Sequence, residues 1–203
     1  MISAAPDASD MPLLGEVLAV ELANTLYVGA TGTVDWLTRP GLITSWLSHA
    51  EAAADLDPHY PLQAKHAEAL RQIRDAVHLL LVAATAGLPD IPAGPVATLN
   101  HYAAQASCRP QLTWADGDVP SASLVHSGAA ADVLIARLAH ECIEFLAGPD
   151  LGLLRRCEGP GCPMLFVQRH HKRRYCYAGC ASRARQTRYY HRSKSSTRRP
   201  MPA

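Results

Sequence analysis

A chain of 203 residues, 48% of them apolar, can bury one ordinary core and carry a small appendage, which excludes a many-domain assembly. Its formal net charge of +1 conceals a division: residues 1–150 hold 6 Lys and Arg against 17 Asp and Glu, whereas residues 151–203 hold 13 against the single acid Glu158. No apolar run approaches the roughly 18 residues of a membrane span, and residues 1–12 lack the basic and apolar stretches of an export signal, so the expectation is a cytoplasmic protein with reduced thiols.

In chain order, residues 1–12 read as a disordered tail. Residues 15–27 (GEVLAVELANTLY) fit a helix, although a strand is also compatible, and VGATGT reads as a Gly-rich loop. Thr38, Arg39 and Pro40 introduce a short helix, GLITSWLSHA, with Leu42, Trp46 and Leu47 facing inward. The clearest helix covers 61–86, where Leu70, Ile73, Val77, Leu80 and Leu81 recur at three- and four-residue steps. Another spans about 95–107. QLTW and SLVH, separated by ADGDVPSA, form a hairpin within 110–126 on the strength of the Asp-Gly turn. An amphipathic helix over 129–147 buries Ile135, Leu138, Cys142, Phe145 and Leu146 and stops at Gly148-Pro149.

The chemistry concentrates in the last quarter. Cys157-x4-Cys162 and Cys176-x3-Cys180 are two close pairs a hairpin apart, each able to deliver two thiolates from one turn to a tetrahedral Zn²⁺. Gly159 and Gly161 allow the first pair to converge. MLFV and RRYC are expected to pair across QRHHK, and Cys180 falls in the first turn of a helix, where the positive end of the dipole favours a thiolate. With few large apolar side chains, the segment needs one structural Zn²⁺ to organise it. Two disulfides or free thiols are the competing readings, and His170 or His171 could replace a cysteine. Cys108 and Cys142 have no partner in sequence, and Cys142 reads as a buried structural thiol.

From Ala178 the chain is a basic helix former. Arg185, Arg188 and Arg192 share a face, Arg183 projects elsewhere, and Lys172, Arg173 and Arg174 precede the helix. Arginine grips phosphate or a guanine edge with two parallel hydrogen bonds, so these seven side chains are the candidate contacts to double-stranded DNA. RNA, a solvated helix, and an arm docking on an acidic protein partner or on a second copy are the alternatives. Residues 193–203 read as a disordered tail. His140-Glu141-Cys142-Ile143-Glu144 lacks the second histidine of a metalloprotease helix, and VGATGT lacks the lysine of a phosphate-binding loop. No enzyme is read here. Trp36 and Trp46 near the Gly-rich loop could border a small-molecule effector site, but core packing explains them more simply.

The stretch CEGPGCPMLFVQRHHKRRYCYAGCASRARQTRYYHR resembles the bacterial CGNR zinc fingers, with Cys180-Ala181-Ser182-Arg183 standing where the signature has Cys-Gly-Asn-Arg. VELANTL, TRPGLITSWL and the long Arg/Leu helix resemble the stress-associated ABATE-type domain that precedes that finger. The resemblance implies that Cys157, Cys162, Cys176 and Cys180 are the zinc ligands, and it implies a DNA-binding transcription regulator. The expected fold is α+β: a mostly helical sensor or oligomerisation domain over 1–150 with a small hairpin, then a ββα-like zinc module over 151–203.

Overall fold

The computed structural model describes residues 13–29, 32–38, 40–49, 62–88 and 90–196. The expected tail at 1–12 lies outside this set. Six helices and three two-stranded antiparallel hairpins follow one another among these residues.

At the centre lies α1 (Leu18–Ala23), only six residues long, with Ala19, Val20, Leu22 and Ala23 all essentially inaccessible. A helix this short is marginal in water, so packing on every side holds it. The antiparallel pair β1 (Leu26–Gly29) and β2 (Gly32–Asp35) follows. It converts the expected Gly-rich loop into a hairpin and confines the helix of that region to its middle. Gly29 and Gly32 are themselves strand residues, facing each other at the end of the register.

A 3₁₀ turn at Trp36–Thr38 leads to α2 (Pro40–His49). Trp36, Leu37, Leu42, Ile43, Trp46 and Leu47 are all buried there, so both tryptophans are core residues. The long helix α3 (Ala64–Ala86) carries the expected stripe of Leu70, Ile73, Val77, Leu80 and Leu81. It begins with a reciprocal cap, in which the Gln63 N–H donates to His66 Nδ1 at 3.0 Å. The buried Arg74 pairs with Asp35 at 2.6 Å and Asp75 at 2.8 Å, which ties α3 to β2. Next come α4 (Ala93–Ala103), the hairpin of β3 (Ser107–Thr113) with β4 (Ser121–Ser127), and α5 (Ala130–Ala147). The second hairpin falls where its Asp-Gly turn predicts. One core unites α1, α3, α4 and α5.

The chain then turns through a 3₁₀ segment at Pro149–Leu153 into β5 (Leu154–Arg156), which pairs antiparallel with β6 (Leu165–Val167) in the register Leu154 with Val167 and Arg156 with Leu165. MLFV therefore pairs with the residues before the first cysteine, not with RRYC as expected. The reason is hydrophobic: Leu154, Leu165 and Val167 all belong to the main core, to which Arg173 to Tyr175 contribute nothing. The last helix, α6 (Ala178–Ser196), completes a ββα unit and continues past Arg192, where order was expected to end. Residues 197–203 lie outside the described set. Among the described residues, no helix is long and apolar enough to cross a membrane.

Candidate metal centre and basic helix

The Cys157–Cys162 loop is the tip of the β5–β6 hairpin. The strands are held up to that point by the Cys157 N–H donating to the Met164 carbonyl at 2.9 Å. Gly161, at φ +68, makes the turn that brings the second sulfur back. Gly159 has a separate role: a Cβ there would lie 2.9 Å from Cys180 Cβ and 3.2 Å from its Sγ, so only glycine lets the loop close over the sulfurs. Cys176 reaches the site from the bend after Arg174, whose carbonyl accepts from the Glu158 N–H at 3.0 Å. Cys180 lies in the first turn of α6, as its position in the sequence predicts.

All four sulfurs fall within 4.8 Å of one another, and Cys157, Cys176 and Cys180 are buried while Cys162 is half-buried. Cys162 to Cys176 is 3.7 Å and Cys176 to Cys180 is 3.5 Å. A tetrahedron with Zn–S bonds of about 2.3 Å has edges of about 3.8 Å, so these separations suit one structural Zn²⁺. None of the six cysteines is in a disulfide. The surroundings supply donors to sulfur: the N–H groups of Cys176 and Gly159 point at Cys157 Sγ at 3.3 and 3.4 Å, and Arg183 donates to Cys180 Sγ at 2.9 Å. Among themselves the sulfurs compete for charge. The hydrogen bond from Cys176 draws the Cys162 thiol down to about 5; that neighbour pushes Cys176 up, and burial raises Cys180 to about 11. A divalent cation lets all four ionise together. His170 and His171 stack on each other, ring centroids 4.8 Å apart, exposed and outside the sulfur cluster. Cys142 is fully buried on α5, where burial pushes its thiol up to about 12, while Cys108 is exposed.

The cationic side chains fall into two groups. Arg173 turns inward: its guanidinium stacks on Phe166 at 4.6 Å, donates to the Cys176 carbonyl at 2.7 Å and pairs with Glu16 at 2.7 Å. Arg174 pairs with Glu158, its Nε donating at 2.7 Å, and Arg183 sits on the metal centre. The second group is Lys172, Arg185, Arg188 and Arg192, all exposed. On α6 the buried positions are Cys180 and Ala184; Arg188 stands one turn beyond Ala184, and Arg185 and Arg192 flank it on the exposed side. None of the three has an ion pair with a described carboxylate, and the hydrogen bonds of Arg185 to Ser182 Oγ and of Arg188 to the Ala184 carbonyl are local.

The metal module is fastened to the helical body by residues that sequence reasoning passed over. Asn24, at the end of α1 and 3% exposed, donates to the Leu165 carbonyl and accepts from the Leu165 N–H, both at 3.0 Å. Glu16 accepts from the Val167 N–H at 2.9 Å while it holds Arg173. The polar interruptions in GEVLAVELANTLY, at Glu16, Glu21 and Asn24, were the available signal. A polar side chain in an otherwise apolar segment is there because something bonds to it.

Two family models together match almost the whole length. Residues 16–149 match the ABATE model, described as "Putative stress-induced transcription regulator", and residues 154–193 match the CGNR zinc finger. Neither description is of an enzyme. No curated protein matches the chain.

Proposed function

The chain belongs to the ABATE family, with a CGNR zinc finger at its C-terminus, and from that premise we propose that it is a zinc-dependent regulator that binds double-stranded DNA through α6. One observation carries the reading. Of the cations in this segment, Arg173, Arg174 and Arg183 are engaged within the module, whereas Arg185, Arg188 and Arg192 share an exposed helix face without a described carboxylate partner. A cationic helix face, anchored at its start by a metal ligand, is the geometry that enters a DNA groove or tracks phosphates. Lys172 and Arg174 add backbone contacts, since the Arg174–Glu158 pair is solvent-exposed and exchangeable.

The helical body over 1–150 is the sensing or oligomerising part of this scheme, and 151–203 the DNA-binding part. Replacing Arg185 and Arg188 by Ala should weaken duplex binding by about tenfold or more without lowering the melting temperature, since two charge-assisted contacts are lost. With about five phosphates neutralised, affinity should drop about 500-fold between about 50 and 200 mM salt. Gel-shift titration with unlabelled duplex and with polyglutamate as competitors separates this from a basic arm that docks an acidic protein. Competition by polyglutamate alone, or unchanged binding by the double variant, defeats the assignment.

A further inference from the structure

Between α3, α4 and α5 lies an apolar slot of about 320 Å³. Leu80 and Leu99 form its buried floor, Ile143 and Leu146 one wall, and Ile91 and Val96 an exposed rim. That volume is at the lower end of small-molecule pockets, about 300–1,000 Å³. At about 30 Å³ per heavy atom it accommodates an apolar body of about ten atoms. A second cavity of about 410 Å³ adjoins it, because Ala84 and Leu151 line both. Its far side is formed by Arg155 and Arg156 of β5. Neither arginine pairs with a described carboxylate, and no acidic residue lines either cavity. An apolar slot whose adjoining cavity is bordered by two cations and no acidic residue is complementary to one kind of molecule.

We propose that this composite cleft binds a small amphipathic organic anion, its hydrocarbon or aryl body in the α3–α4–α5 slot and its carboxylate against Arg155 and Arg156. The head-group end is one residue from Cys157 along the chain, so the ligand braces the strand that leads into the metal centre. The site does not depend on the DNA-binding reading and is tested without nucleic acid.

Isothermal titration of the zinc-loaded full chain with decanoate, decanol and decylammonium tests it. Decanoate should bind at one site per chain, decanol about tenfold or more weakly through loss of the charge-assisted bonds, and decylammonium more weakly still. Replacing Arg155 and Arg156 together by Gln should bring decanoate down to the affinity of decanol and leave decanol unchanged. Ala84→Phe, which fills the junction, should weaken all three. Val96→Glu, at the exposed rim and harmless to folding, should weaken decanoate most. Equal binding of the three probes, binding at many equivalent sites, or affinities that ignore the Arg and rim variants would overturn the proposal. So would a dimer in light scattering that Val96→Glu dissociates, because a second copy would then cover the slot.

Discussion

Two polar side chains in the first described segment, Asn24 and Glu16, decide how the metal module is held. Asn24 offers an amide that fits both backbone groups of Leu165, so truncating it leaves a buried N–H and a buried carbonyl without partners. Asn24→Ala should cost about 2–4 kcal/mol at about 1–2 kcal/mol per orphaned group, read from the urea midpoint at unchanged slope. Glu21 accepts from the N–H groups of Leu14 and Glu16 at 2.9 and 2.7 Å, yet burial raises its pKa above the ordinary 4.5, with Glu16 adding like charge. The folded state therefore holds a proton that the unfolded chain has already released, and stability declines as pH rises through that window. Glu21→Gln keeps the acceptor oxygen and removes the charge. Its stability relative to the parent should grow with rising pH, and a decline in chemical denaturation at matched pH values would refute the sign. At Gly159 the constraint is steric: Gly159→Ala forces a methyl into Cys180, and zinc affinity in a chelator competition should fall by about tenfold or more.

At the scale of elements, periodicity and punctuation were enough for α3, α5, the β3–β4 hairpin and the start of α6, because each is specified by its own local sequence. The four-sulfur centre was legible for the same reason, since two cysteine pairs on tight turns a hairpin apart have metal-ligand spacing. What was not legible depends on distant partners. MLFV could pair with the residues before or after it by composition alone. The choice went to β5 because Leu154 and Leu165 are drawn into a core whose other walls, Leu22 and Leu81, lie far away in sequence. The β1–β2 hairpin hid behind its glycines. Arg173 looked like any other cation in a basic run, and only the positions of Phe166 and Glu16 turn it inward. A basic run in a sequence thus bounds the number of nucleic-acid contacts from above; the fold selects among them.

For the whole molecule, the main consequence is cooperativity. Leu154, Leu165 and Val167 are part of the body's core, while Met164, Phe166 and the cysteines form the second cluster that shares the same strands. Two separable domains would melt separately, but these two share a hairpin. Chelating the zinc should therefore lower the temperature of a single calorimetric transition instead of abolishing a small early one, and two independent transitions in the metal-loaded protein would contradict this. The charge division seen in the sequence survives folding as a division of surfaces only in part, since Glu16 of the acidic body binds Arg173 of the basic segment.

The bond between Asn24 and Leu165 has a geometric corollary. A recognition helix hung from a loose tether must be immobilised afresh each time it meets a duplex, and it can adapt to variable gaps between half-sites. Here two hydrogen bonds and a shared core fasten the hairpin that carries the first two cysteines to the helical body. If α6 reads DNA as proposed and two copies join through their bodies, the distance between the two α6 helices is set by protein geometry, and operators with a base pair inserted between half-sites should be rejected through a change of phase around the double helix.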